Sequence, residues 1–159
     1  MVATSSFAAG IARPHTNYEG TIKYPGQSMP ITLKVSTDAA KVIVIPGFYR
    51  RASSCKPKGF HGTFENTDLI NKKRLTIYKD SSFSGTGSVS QQLEGGNPQR
   101  IAAIWTVKGR FTSATTASGT LSIQARLRRN GRTQLSCPTI TVKWKTTHAT
   151  SLTTDTGRN

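Results

Sequence analysis

The chain has 159 residues, enough for one domain with a sizeable core. Lys and Arg total 22 against 7 Asp and Glu, a formal net charge of +15. A surface of that charge repels its own kind and attracts polyanions, and no apolar run approaches the roughly 20 residues that a membrane-spanning helix needs.

The first stretch, MVATSSFAAGIARPH, lacks a basic n-region and is not a complete signal peptide. Gly10 and Ala12 are the small residues expected at the −3 and −1 positions of a cleavage site. Residues 1–17 therefore read either as a signal-peptide remnant or as a flexible leader. From residue 18 the pattern is that of strands. EGTIKY and PITLKVS flank a Pro25-Gly26 turn, with Ile31, Leu33 and Val35 on one face. KVIVIP (41–46) is β-branched and reads as a buried central strand. A loop region with Cys55 follows, then GTFEN, RLTIYKD (74–80) and SFSGTGSVSQQL (82–93). NTDLINKK offers the single place for a short helical turn, and EGGNPQ is a loop.

The C-terminal half alternates most clearly. Ala103, Trp105, Val107 and Phe111 share one face, with Lys108 and Arg110 on the other. Leu121, Ile123, Ala125 and Leu127 oppose Arg126 and Arg128 in the same way. TITVKW (139–144) points Ile140, Val142 and Trp144 inward, with Lys143 and Lys145 outward. The tail 147–159 is polar and aperiodic. The pattern predicts an all-β domain over 18–146: eight or nine antiparallel strands in a two-sheet β-sandwich, with a β-barrel as the alternative.

Asn130-Gly131 is a strong hairpin signal. A two-residue loop would pair Leu127 with Gln134 and put Leu135 and Cys137 on the arginine face. A three-residue loop (129–131) pairs Ala125 with Leu135 and Ile123 with Cys137, so that the apolar residues share a face. The second register is the expectation here. It sets Arg128 opposite Arg132 and sends Cys137 into the core. A bulge at Pro138 then returns Ile140, Val142 and Trp144 inward.

Two cysteines in a basic, Thr-rich all-β chain fit one disulfide in an oxidising compartment; the alternative is two separate thiols in a cytosolic protein. Lys108, Arg110, Arg126, Arg128, Arg132, Lys143 and Lys145 form a basic stripe across neighbouring strands. It reads either as a platform for a polyanion or as long cationic side chains that solvate an outer sheet face. GFYRR supplies a second candidate, a ligand loop of Phe48, Tyr49, Arg50 and Arg51, against ordinary loop anchoring. KGFHGTF (58–64) only faintly echoes an RNA-recognition motif. The three histidines have no metal-ligand spacing, the seven carboxylates form no local pair, and no nucleotide-binding fingerprint is present. No catalytic residue, metal site or cofactor is expected.

YEGTI, PITLKVS, KVIVI, Cys55 with GFHGTF, then VKGRFTSATTASGTLS, Cys137 and TVKW together resemble secreted actinobacterial-type β-sandwich domains of unknown function. The resemblance covers roughly residues 18–146. It implies an exported, extracellular or cell-surface domain with a Cys55–Cys137 bridge, and it carries no catalytic residues. The chain departs from the pattern in its basicity and in lacking a full signal peptide.

Three functions compete. The first is a non-catalytic exported module whose basic face holds an acidic polymer of a wall, a matrix or nucleic acid. The second is a structural subunit (virion coat, decoration or filament) that assembles with copies of itself through its tails. The third is a hydrolase whose carboxylates gather only in space.

Overall fold

The structure is a computed structural model; it describes residues 12–47, 49–51, 54–58, 63–65, 73–92 and 99–149. Ten strands are present among the described residues: β1 Asn17–Tyr24, β2 Gln27–Val35, β3 Lys41–Pro46, β4 Tyr49–Arg51, β5 Thr63–Glu65, β6 Arg74–Thr76, β7 Ser82–Gln92, β8 Gln99–Ser113, β9 Thr116–Arg129 and β10 Arg132–His148. Eight form a single antiparallel sheet in the order β6-β3-β2-β1-β10-β9-β8-β7, while β4 and β5 pair in a separate ribbon.

That order is an up-and-down meander whose first and last strands in sequence, β1 and β10, lie side by side. The two ends of the sheet, β6 and β7, come back together. Leu75 of β6 packs where a side chain on Gly85 of β7 would sit, and the Lys73 ammonium donates to the Thr86 carbonyl. No backbone ladder joins β6 to β7 among the described residues. The all-β, antiparallel expectation holds. Of the two architectures, the single nearly closed sheet matches the β-barrel rather than two stacked sheets.

The physical reason lies in long strands and bulges. β8, β9 and β10 run for 15, 14 and 17 residues, and a sheet of such strands coils with its own twist. Register shifts between Phe111 and Ser113, Thr133 and Leu135, and Cys137 and Ile140 add local bends.

Alternation sends one face of each strand inward. Tyr18, Ile22, Met29, Ile31, Leu33, Val42, Val44, Phe83, Trp105, Val107, Phe111, Leu121, Ile123, Val142 and Trp144 form one buried cluster. KVIVIP follows the same rule: Val42 and Val44 are buried, and Ile43 and Ile45 half-buried on the outer side. The interior is filled by layers of side chains. In one layer Phe83, Gly109, Gly119, Trp144 and Ile22 are successive cross-strand neighbours. A Cβ on Gly119 or Gly109 would lie 2.4 and 2.7 Å from the Trp144 ring, so the indole packs against both glycines and stacks on Phe83. At one end Tyr18 closes the barrel. Its hydroxyl donates to the Ala114 carbonyl and accepts from the Arg13 N–H, each at 2.9 Å.

A second, smaller cluster lies at the other end, where β8–β10 project beyond β1. It comprises Cys55, Ala103, Ala125, Leu127, Leu135 and Cys137, with Ile101 against it. The Cys55–Cys137 disulfide is present. It ties the excursion between β3 and β6 to β10. Lys56 and Ser136 exchange two backbone hydrogen bonds of 2.8 Å beside it and cover part of the free β10 edge.

The β9–β10 hairpin corrects one expectation. The loop has two residues, not three: Arg129 pairs with Arg132, and Asn130 and Gly131 have φ of 49° and 75°. Positive φ at both central residues is what a tight hairpin turn requires, and Asn-Gly supplies it at little cost. The register is then repaired inside the strand. Arg128 pairs with Thr133, Gln134 is extra, and Leu135 pairs with Leu127. Leu135 and Cys137 thus reach the apolar face opposite Leu127 and Ala125. The expected Arg128–Arg132 pair does not form; like charges face each other at Arg129–Arg132 instead. The second bulge, at Pro138, falls where the sequence placed it and returns Val142 and Trp144 inward.

Candidate functional site, a cationic outer face

Burial of the apolar alternates leaves the other alternates to solvent. On β8 these include Arg100, Ala102, Ile104, Thr106, Lys108 and Arg110; on β9, Gln124, Arg126 and Arg128; on β10, Thr141, Lys143 and Lys145. An outer face built of lysine, arginine and hydroxyls is the reverse of a membrane-spanning barrel, whose outward band is apolar. Among the described residues no helix is long and apolar enough to cross a membrane.

Cross-strand register resolves the stripe into two zones. In the first, Ser84, Lys108, Thr120, Lys143 and Lys23 are consecutive lateral neighbours from β7 to β1. The next row is Ser82, Arg110, Ser118, Lys145 and Thr21. Adjacent strands lie about 4.8 Å apart, so Lys108 and Lys143 are separated by about 10 Å and Lys143 and Lys23 by about 5 Å at the backbone. In the second zone, Ala102, Arg126, Ser136 and Lys56 form one row, and Arg100, Arg128 and Thr133 the next. Six residues of β8 separate Lys108 from Ala102, which is about 20 Å of strand. A hydroxyl band lies between the zones; Ser122 and Thr141 share a 2.7 Å hydrogen bond there.

The second zone is concave. A groove of about 320 Å³ runs between Ser88 and Ser90 of β7, Ala102 and Ile104 of β8, and Gln124, Arg126 and Arg128 of β9. Ile104 is 58% exposed, an apolar side chain standing among cations. Arg100 is held against the rim by a 3.1 Å bond from its Nε to the Ser90 hydroxyl.

Of the seven predicted stripe residues, Lys108, Arg110, Lys143 and Lys145 fall in the first zone and Arg126 and Arg128 in the second. Arg132 sits at the hairpin tip against Arg129. Arg110 is bridged to Asp80 at 3.0 Å, which partly neutralises it. The Ser82 hydroxyl, the Ser82 N–H and then the Arg110 guanidinium hold the Asp80 carboxyl below its usual value of 3.8. Arg100, Lys23 and Lys56 belong to the face and were missed. The apolar run Ile101–Ala102–Ala103–Ile104 hides the period that puts Arg100 outward, whereas the alternation of EGTIKY already placed Lys23 opposite Ile22. Of the second candidate, Phe48 lies outside the described residues; Tyr49, Arg50 and Arg51 form β4, paired with Glu65, Phe64 and Thr63.

No protein-family model matches the chain, and no curated protein matches it in sequence. The bridge that the secreted-domain resemblance implied is present, but no family match supports that resemblance.

Proposed function

We propose that this protein is a non-catalytic, exported binding module that docks on an acidic polymer through the outer face of β7–β10 and β1. The observation that carries this reading is the spacing of cations in two zones about 20 Å apart along the strands. A small anion would engage one zone. A polymer lying along the strands would engage both, crossing the hydroxyl band between them. The disulfide and the implied secreted resemblance support placement in a wall or extracellular matrix, where such polymers occur.

The test is a titration with heparin and with a nucleic-acid polymer over a range of salt. Binding should fall steeply and linearly in log–log form as salt rises, through release of condensed counterions. Lys108→Gln with Lys143→Gln, and Arg126→Gln with Arg128→Gln, should each lower the slope. No binding at low salt, or binding indifferent to salt, would sink the proposal.

One observation favours the second reading, a structural subunit. β7 has a ladder partner on one side only among the described residues, and a free strand edge is a template for a second copy. Sedimentation at high concentration separates the two: a strict monomer argues against assembly.

A further inference from the structure

The strands β2, β3 and β6 carry a second concavity, of about 260 Å³, near the end of β2 and the start of β3. Its construction is different from that of the cationic face. Lys34, Ile43 and Arg74 are direct cross-strand neighbours on β2, β3 and β6, so a lysine and an arginine straddle one half-buried isoleucine. Their backbones are about 10 Å apart, within which both side chains can converge over Ile43. Lys41 enters the same pocket two residues along β3, steered by a 2.8 Å bond from its ammonium to the Thr76 hydroxyl. His15 closes the end. Its N–H donates to the Ser36 carbonyl at 3.0 Å, and its φ of 51° is a conformation that non-glycine residues seldom adopt.

Four basic side chains thus line one small cavity, and among the described residues no carboxylate does. Asp38 lies in the adjoining β2–β3 turn. Its Oδ1 accepts from the Ser36 hydroxyl and from the Ala40 N–H, while the Lys41 charge acts on it from outside that turn. The side chains of His15, Lys34 and Arg74 make no hydrogen bond or ion pair among the described residues. Like charges gathered around a shared apolar floor are unfavourable alone and favourable around a bound anion.

We infer that this pocket binds one tetrahedral oxyanion carried on a short organic body, a sulfate or phosphate monoester. Arg74 and Lys34 hold the oxyanion from two sides, and Lys41 supplies its remaining N–H donors. Ile43 and the edge of Val35 receive the organic part. The pocket lies on β2, β3 and β6 and the cationic face on β7–β10 and β1, so a polymer bound there leaves it accessible.

The test is a titration of the full chain, followed residue by residue through amide chemical shifts. The probes are sodium sulfate, sodium phosphate, a monosaccharide 6-sulfate and a monosaccharide 6-phosphate, with sodium chloride at matched ionic strength as control. The esters should give saturable shifts confined to Lys34–Thr37, Lys41–Ile43 and Arg74. Lys34→Gln with Arg74→Gln should weaken ester binding by about tenfold or more, the loss expected for charge-assisted hydrogen bonds. The pair Lys108→Gln with Lys143→Gln should leave it unchanged, while weakening heparin. Shifts spread over all lysines and arginines without saturation would overturn the inference, as would equal losses in both variant pairs. Bare sulfate and phosphate binding as tightly as their esters would overturn the role given to Ile43.

Discussion

Around Trp144 every strand of the barrel supplies a wall; around Cys137, among the described residues, β8, β9, β10 and a tethered loop do. The main core is layered, and Gly109 and Gly119 leave room for one indole to lie across three strands. Among the described residues the small core holds two alanines, two leucines and a half-cystine pair, with Ile101 against them. Non-covalent packing suffices in the first because each side chain meets neighbours from several strands. In the second, a covalent bond joins the tethered loop to β10. An amide network can therefore be uniform around the barrel while its local stability differs from end to end.

Replacing both Cys55 and Cys137 by Ala should cost most. The 82-residue separation corresponds to about 4.5 kcal/mol in the chain-entropy account. Urea denaturation gives the total. Hydrogen exchange gives the pattern, with protection lost first at Ala125–Leu127 and Leu135–Cys137. Uniform loss around the barrel would refute the contrast between the two cores. Trp144→Ala should follow, at about 3–5 kcal/mol. Here exchange should rise throughout the barrel, because no smaller side chain spans Gly109 and Gly119.

Deleting Gln134 sharpens the comparison from the other side. Without it, Thr133 and its new neighbour Leu135 continue the ladder opposite Arg128 and Leu127 with no bulge. The disulfide should still form and stability should change by less than about 1 kcal/mol, whereas inserting a residue there should leave free thiols. Thiol counting distinguishes the two.

The smallest effect concerns pH. Asp38 and Asp80 both titrate below 3.8 in the folded chain, through hydrogen bonds from Ser36 and Ala40 and from Ser82 respectively. A depressed folded value means stabilisation present above the unfolded value and lost as pH falls through the folded one. Asp80→Asn should therefore lower the thermal midpoint slightly near neutrality, and the two curves should converge below 3.8. A gap that persists at lower pH would show another origin.

Much of this was legible beforehand, for a reason that also marks its limit. Period-two alternation identifies inward residues, so Ile31, Leu33, Trp105, Leu121, Ile123 and Trp144 were placed correctly from the sequence alone. Alternation does not say whether the sheet curls on itself or is covered by another. That is decided by strand length, bulges and where β6 meets β7. The hairpin shows a similar division. The demand that Leu135 and Cys137 share a face with Leu127 was readable, but two backbone solutions satisfy it. Asn-Gly favours the tighter turn, which moves the extra residue into the strand at Gln134. The cationic face was read as one stripe because register between strands, and hence the hydroxyl band at Ser122 and Thr141, is invisible in a linear string. The pocket around Arg74 was invisible for the same reason: its three cations come from three strands.

The position of the disulfide also fixes how this protein would respond to pulling. Tyr18 pairs with His148, so the chain enters β1 and leaves β10 at the same end of two adjacent antiparallel strands. Tension applied there opens β1 from β10 one pair at a time, as a zipper, rather than shearing many bonds at once. Peeling then proceeds along β10 past Trp144 and Ile140 until it reaches Cys137, where the load crosses to Cys55. The segment between them, including β5 to β9, carries no force. A module anchored at its ends would yield early and stop short, releasing roughly half of its contour while the other half stays shielded behind a covalent stop.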